Sequence, residues 1–171
     1  MKLENAITTA LEYEAGVYEI YREAMTKTSD EAGKHIFEVL CREELEHLDY
    51  LRERLAEWRK SGKIGVKPLS PPASAREAIG RGLEELRKTV KPRRTKLNLE
   101  LELLKKALDA EIRTSGFYRE MAATLDGEGR QLFHRFLEIE DGHVAIVQAE
   151  IDNVGNWGFW FDTPEFRLEA E

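Results

Sequence analysis

The sequence predicts an all-α protein, built as a bundle of four long helices. Apolar residues recur at spacings of three and four residues along four long stretches, which is the period of an amphipathic helix. The chain also carries an internal repeat, because a helical hairpin in its first half is followed by a similar one in its second half. The predicted architecture is therefore two repeated helical hairpins, joined by a long crossover that contains a short helix.

The first hairpin is predicted to begin with a helix from about Leu3 to Lys27. Thr28 and Glu31 have the spacing of a capping box, so Thr28-Ser29-Asp30-Glu31 is predicted to open the second helix. That helix is expected to run to about Lys60 and to end at Ser61-Gly62. Since the connection between the two helices is short, they should lie antiparallel.

The segment from residue 61 to residue 96 differs in composition from the helices around it. Four prolines bracket Ala73 to Val90, whose composition favours a short helix: Pro68, Pro71, Pro72 and Pro92. We interpret the segment as a crossover, since neither flank is long enough to bury a good core alone. The prediction is a single domain over residues 1–171, with an aromatic extension at 155–171.

The second hairpin is predicted as a helix from about Asn98 to Leu125, a break at Asp126-Gly127, and a fourth helix. It repeats the first hairpin position by position. Glu14 and Tyr21 align with Glu111 and Tyr118 at an offset of 97 residues, whereas Glu44 and His47 align with Glu140 and His143 at an offset of 96. The one-residue difference falls at the turn.

Charged residues interrupt the predicted apolar faces at equivalent positions of the two hairpins. Each Glu lies at a similar distance from its turn, so a rise of about 1.5 Å per residue places the four at nearly the same height. A buried charge is costly unless it is paired, neutralised or bound to a metal. The candidate metal ligands are Glu14, Glu44, His47, Glu111, Glu140 and His143.

One Glu from each of two helices and a Glu-x-x-His from each of the other two is the pattern of a two-metal site in a helix bundle. Two divalent cations would balance four carboxylates. Oxygen-rich ligation with one imidazole per ion suits iron or manganese, although zinc could bind as a substitute. The alternative is a salt-bridged core without metal.

These motifs resemble those of the rubrerythrin branch of the ferritin-like diiron-carboxylate proteins. The resemblance covers residues 3 to 155 and rests on four motifs: Glu14-x6-Tyr21, Phe37-x2-Leu40-Cys41-x-Glu43-Glu44-x2-His47, Glu111-x6-Tyr118 and Phe133-x6-Glu140-x2-His143. It implies a ferritin-like bundle with two iron ions, bridging carboxylates at Glu44 and Glu140, terminal carboxylates at Glu14 and Glu111, and one His per iron.

The resemblance also implies a function, a non-haem diiron oxidoreductase that reduces hydrogen peroxide or dioxygen. Two departures from the family matter. The chain has one cysteine, Cys41, and so lacks a rubredoxin-like iron domain, which implies an external electron donor such as rubredoxin. Thr114 stands where members carry an additional glutamate, a residue that the resemblance associates with redox-linked iron movement and efficient peroxide reduction. The alternative function is an iron-oxidising or iron-binding protein without peroxidase turnover. A metal-free helical scaffold is the third hypothesis.

Several side chains near the predicted centre have two interpretations. Tyr21 and Tyr118 either donate hydrogen bonds to ligating carboxylates or simply pack in the core. Cys41 is interpreted as a small buried hydrophobe. Asp109 and Asp141 are candidate hydrogen-bond partners of the ligating histidines. The aromatic extension, which includes Trp157, Trp160 and Phe161, either covers an end of the bundle or a surface in a homodimer, or folds back on its own chain.

Composition excludes several other classes of protein. The net charge is −7 and basic residues are scattered among acidic ones, so no nucleic-acid partner is expected. One cysteine excludes an intrachain disulfide and a Cys-x-x-Cys metal site. No apolar run approaches the roughly 20 residues that span a bilayer, and the N-terminus lacks a signal-peptide layout. The expectation is a cytoplasmic protein without a membrane partner.

Overall fold

The computed structural model describes residues 2–65, 98–158 and 160. These residues form four α-helices and no strand, which confirms the predicted all-helical class. Most of the predicted crossover, including its short helix, and most of the aromatic extension lie outside the described residues. The helices are α1 (Leu3–Lys27), α2 (Glu31–Ser61), α3 (Asn98–Thr124) and α4 (Gly127–Trp157).

The helices pack in neighbouring pairs. α1 packs against α2, and α3 packs against α4. Because only residues 28–30 and 125–126 separate the members of each pair, consecutive helices run antiparallel. α1 also packs against α3, which joins the two pairs. All four helices thus line a common interior.

The start of α2 differs from the predicted capping box. Asp30 is the N-cap residue, and its Oδ1 accepts hydrogen bonds from the backbone N–H of Ala32 at 3.0 Å and of Gly33 at 3.2 Å. The hydroxyl of Thr28 instead donates to the buried carboxylate of Glu100 on α3, at 3.3 Å. The prediction that Thr28 caps the helix was therefore wrong, because a side chain nearer the first turn satisfies the free amide groups.

Two apolar clusters occupy opposite ends of the bundle. One contains Tyr21, Phe37 and Leu104, and the other contains Ile7, Leu51, Phe133 and Phe136, all of them fully buried. Along each helix, the predicted metal ligands lie between the positions that belong to the two clusters. The candidate site is thus a polar layer with apolar packing above and below it.

Trp160, the only residue described beyond α4 and its cap, packs back onto its own chain. Its ring lies edge-on to Phe37 with centroids 5.3 Å apart, and its side chain is buried. Gly33 on α2 makes room for the indole, since a Cβ at this position would lie 2.6 Å from Trp160 Cζ2. For this residue the structure shows the fold-back alternative. Within the described residues, no helix has the length and apolar character that crossing a membrane requires.

Candidate metal centre

The structure brings all six predicted side chains together inside the bundle. Each of the four helices contributes one glutamate, and α2 and α4 each add a histidine one turn further along. Five of the six are 0% exposed, and His47 is 5% exposed. Ligand atoms of Glu44, His47, Glu140 and His143 all lie within 4.8 Å of one another, so this group could hold a metal ion.

Carboxylate oxygens surround the Nδ1 atom of His47. Glu14 Oε2 lies 3.1 Å from this nitrogen, Glu44 Oε2 lies 3.4 Å from it, and Glu140 Oε1 lies 3.6 Å from it. These carboxylates come from three different helices. The Nδ1 atom therefore points into a pocket of oxygens rather than towards a single partner.

The second imidazole has a similar environment. His143 Nδ1 lies 3.0 Å from Glu44 Oε1 and 3.7 Å from Glu111 Oε1. The two imidazole rings face each other, with centroids 5.3 Å apart and an angle of 23° between their planes. Glu44 thus presents one oxygen to each histidine, as a carboxylate that bridges two metal ions would.

Several buried polar atoms in this layer have no hydrogen-bond partner among the described residues. Neither oxygen of Glu44 or Glu140 accepts a hydrogen bond, and the same holds for Glu111 Oε2; His143 Nδ1 is also without one. Leaving a buried charged group unsatisfied is costly, and carboxylates packed together add their mutual repulsion. Cations between the oxygens would remove both costs, so the side chains that are present fit a metal centre.

The electrostatics of the metal-free layer reflect this crowding. Burial and the neighbouring Glu14 carboxylate raise the pKa of Glu44 well above its usual value. Burial also raises the pKa of Glu140, again with Glu14 as the largest charged contributor. Burial alone would raise the pKa of Glu14, but contact with Glu44 and His47 outweighs it and lowers this pKa to about 2. Without metal, the layer therefore retains protons on some carboxylates while others stay ionised.

The histidines take up protons in the same metal-free state. Burial would lower the pKa of His47, but the charge and hydrogen bond of Glu14 outweigh it and raise the pKa. For His143, the hydrogen bond with Glu43 and the nearby Glu44 carboxylate outweigh burial and place the pKa well above its usual value. Because metal ligands must give up these protons, metal binding would release them.

Two tyrosines donate hydrogen bonds to Glu14 and Glu111, the outer carboxylates of the layer, and each bond joins two different helices. The Tyr21 hydroxyl on α1 donates to Glu111 Oε1 on α3, whereas the Tyr118 hydroxyl on α3 donates to Glu14 Oε1 on α1. Burial and the adjacent carboxylates raise the pKa of both phenols well above the usual value, so both remain protonated donors. The structure therefore shows the hydrogen-bonding alternative, and sequence spacing had not indicated that the donors would cross between helices.

The hydrogen-bond partner of His143 differs from the candidates that the sequence suggested. His143 Nε2 donates to Glu43 Oε2 on α2 at 2.8 Å. Asp141 instead accepts from Ser115 at 2.7 Å and from Arg119 at 3.2 Å, and Asp109 is exposed. The sequence did not indicate Glu43, because it and His143 lie on different helices and are 100 residues apart in the chain.

Two further predicted positions are buried beside the layer. The Thr114 side chain, one turn from Glu111, is fully buried, and its hydroxyl donates to the carbonyl of Ala110 at 3.1 Å. Cys41 is buried with its Sγ 3.9 Å from the carbonyl of Tyr18, and burial followed by the Glu44 charge raises the pKa of the thiol to about 11. Burial and a raised pKa agree with the interpretation of Cys41 as a small hydrophobe.

Comparison of the chain with protein-family models, with curated proteins and with solved structures finds no match.

Proposed function

We propose that this protein is a non-haem diiron oxidoreductase that reduces hydrogen peroxide or dioxygen with electrons from an external donor. The observation that carries the proposal is the geometry around Glu44. Its two oxygens accept no hydrogen bond from the described part of the chain, and they face the Nδ1 atoms of two histidines at 3.4 Å and 3.0 Å. A carboxylate placed in this way between two nitrogen ligands is suited to bridging two cations.

The residues divide into two proposed metal positions. His47 and Glu14 belong to the first position, and His143 and Glu111 belong to the second. Glu44 and Glu140 are shared between them, which gives each ion one nitrogen and several carboxylate oxygens. This donor set suits iron or manganese and lacks the thiolates typical of structural zinc sites. Manganese or zinc are expected as substitutes.

Charge balance supports two ions rather than one. Four glutamates carry four negative charges when they are ionised, and two divalent cations neutralise them in a buried layer. When bound, a pair of ferrous ions would supply the two electrons that reduce hydrogen peroxide to water. Hydrogen bonds from Tyr21 and Tyr118 would hold Glu111 and Glu14 in place. The apolar clusters on both sides of the layer would limit the access of water.

The electrons must return to the centre after each turnover. Cys41 is the single cysteine of the chain, so the sequence has no set of thiolates that could hold a second iron site. An external donor, such as rubredoxin, is therefore part of the proposal, and it follows from the family resemblance of the motifs.

Thr114 favours a second candidate function, an iron-oxidising or iron-binding protein without peroxidase turnover. The resemblance implies an additional glutamate at this position, but the buried Thr114 hydroxyl donates to its own helix at 3.1 Å. A threonine is too short to replace the carboxylate as a mobile iron ligand. If that ligand is essential for reduction of peroxide, the centre would bind iron and oxidise it slowly, without turnover of peroxide.

The decisive experiment is anaerobic reconstitution with ferrous iron, followed by rapid mixing with peroxide or with air-saturated buffer. We expect two irons per chain and oxidation of the pair by one equivalent of peroxide, faster than by air, observed as the absorbance of ferric carboxylates. Faster oxidation by air, or none by peroxide, would favour the second candidate. A chain that binds no iron would be a metal-free scaffold.

A matched pair of variants shows whether iron binding depends on this layer. Glu44→Gln should abolish binding of the pair. Glu100→Gln is the control, because Glu100 is a buried glutamate at one end of the bundle, where it accepts hydrogen bonds from Thr28 and Ser29. Loss of iron from both variants would point to a general effect of buried glutamates on the fold.

A further inference from the structure

The two histidines of the candidate centre are supported differently. His143 is fully buried, and its Nε2 donates to Glu43 Oε2 at 2.8 Å. The Glu43 side chain is 14% exposed, so it lies at the edge of the buried layer and reaches into it from α2. This hydrogen bond holds the His143 ring with its Nδ1 directed at Glu44 and Glu111.

Among the described residues, no carboxylate gives the corresponding support to His47 in the other half of the repeat. The offset of 96 residues that relates Glu44 to Glu140 relates Glu43 to Ile139. Ile139 is buried, and its hydrocarbon side chain cannot accept a hydrogen bond from His47. The His47 ring instead packs edge-on against Phe136, with centroids 5.6 Å apart, and its three carboxylate contacts are all made by Nδ1.

This difference has a consequence for metal binding. A carboxylate that accepts the N–H of an imidazole fixes the tautomer and orientation of the ring and makes the other nitrogen a stronger ligand. Loss of such a partner usually lowers metal affinity about 10- to 100-fold. An apolar contact, such as that between His47 and Phe136, orients a ring without this electronic effect.

We infer that Glu43 is a positioning residue that makes the His143 position the tighter of the two metal positions, so that the centre fills in a defined order. The inference rests on the proposed two-metal centre and deepens it. The first ion would bind beside His143 and Glu111, and the second would then bind beside His47 and Glu14. The shared Glu44 and Glu140 would take part in both steps.

The test uses variants that each retain one histidine. His47→Ala leaves the His143 position, and His143→Ala leaves the His47 position. Titration with Co²⁺ alone, followed by calorimetry and by visible absorbance, gives the affinity of each. We expect His47→Ala to bind Co²⁺ at least about tenfold more tightly than His143→Ala, with circular dichroism confirming that both variants are folded.

Glu43→Gln is then added to each background. In His47→Ala it should weaken Co²⁺ binding by about 10- to 100-fold, whereas in His143→Ala it should change the affinity less than about twofold. Glu46→Gln is the control, because Glu46 is an exposed glutamate on the same helix and should affect neither background. An effect confined to one position separates positioning of His143 from a general structural role of Glu43.

A second measurement covers the case in which a histidine variant fails to fold. In the Zn²⁺-loaded full chain, nitrogen NMR should show a His143 Nε2–H that is protected from exchange, and Glu43→Gln should reduce that protection. Equal weakening of both positions by Glu43→Gln, or no weakening of either, would overturn the inference while leaving two-metal binding intact. Failure of the unaltered chain to bind Co²⁺, Zn²⁺ or Fe²⁺ would instead overturn the proposed function.

Discussion

Tyr118 donates a hydrogen bond to Glu14 across the interface between α3 and α1. The bond is buried, and its counterpart from Tyr21 to Glu111 runs in the opposite direction between the same helices. These two bonds satisfy one oxygen of each outer glutamate, so the outer carboxylates keep a fixed orientation. The shared glutamates, Glu44 and Glu140, receive no hydrogen bond from the residues that the structure describes, in keeping with their proposed position between two cations.

Removal of the Tyr118 hydroxyl should destabilise the protein. Tyr118→Phe leaves Glu14 Oε1 without this donor in a fully buried environment, and the expected loss is about 1–3 kcal/mol in the free energy of unfolding. Urea denaturation of the metal-free protein measures this loss. Tyr13→Phe is the control, because the Tyr13 ring stacks on Phe117 and should change stability by less than about 0.5 kcal/mol. Equal stability of the two variants would show that the bond contributes nothing.

The stability of the metal-free protein should fall as the pH rises from 5 to 8. Glu44 and Glu140 have folded-state pKa values above the ordinary 4.5, so the folded state keeps protons that the unfolded state releases. The free energy of unfolding that these two groups contribute is therefore greatest below pH 4.5 and decreases as the pH rises. His47 and His143, whose pKa values lie above 6.5, add a further loss from that pH upward.

Glu14 acts in the opposite direction. Its pKa is lowered to about 2, so the stability that it contributes is present above pH 4.5 and is lost as the pH falls towards 2. Thermal unfolding between pH 3 and pH 8 should thus show a maximum at mildly acidic pH. Because metal binding displaces the retained protons, the stabilisation by Mn²⁺ should grow with pH. A metal-free protein that becomes more stable from pH 5 to pH 8 would contradict the proton distribution.

Glu140→Gln should stabilise the metal-free protein and weaken its metal binding. The variant removes a carboxyl group whose pKa is raised by burial and by Glu14 and Glu111. We expect a gain in the free energy of unfolding at pH 8 and little change at pH 4.5. Urea denaturation at both pH values, with a Mn²⁺ titration beside it, measures the two effects. A loss of stability at pH 8 would contradict this expectation.

Gly33→Ala should destabilise the packing of Trp160 onto α2. The added Cβ would lie 2.6 Å from Trp160 Cζ2, so the indole must move, and overpacking of this kind typically costs about 1–3 kcal/mol. Gly16→Ala is the matched control on α1, since a Cβ there meets no atom within 4 Å and an alanine favours the helix by about 0.5–1 kcal/mol. The midpoint temperature of thermal unfolding should therefore fall for Gly33→Ala and rise for Gly16→Ala.

Periodicity in the sequence was sufficient to predict the four helices and their inward-facing residues. The boundaries of α1 and α3 agree with the predicted ones to within a residue, because each helix is long, amphipathic and bounded by a clear break. The prediction failed at the N-cap of α2, because Thr28, Ser29 and Asp30 are all good capping residues. Tertiary contacts decide which of them caps the helix, since Glu100 on α3 accepts hydrogen bonds from the hydroxyls of Thr28 and Ser29.

The sequence by itself determined which six side chains could form a centre, because helical spacing alone places Glu14, Glu44, His47, Glu111, Glu140 and His143 on apolar faces. Only the tertiary structure decided their partners. Tyr118 reaches Glu14 and Glu43 reaches His143 across helix interfaces, and spacing within one helix carries no information about such contacts. The rotation of each helix about its axis relative to its neighbours determines these contacts. That rotation results from packing of the whole core.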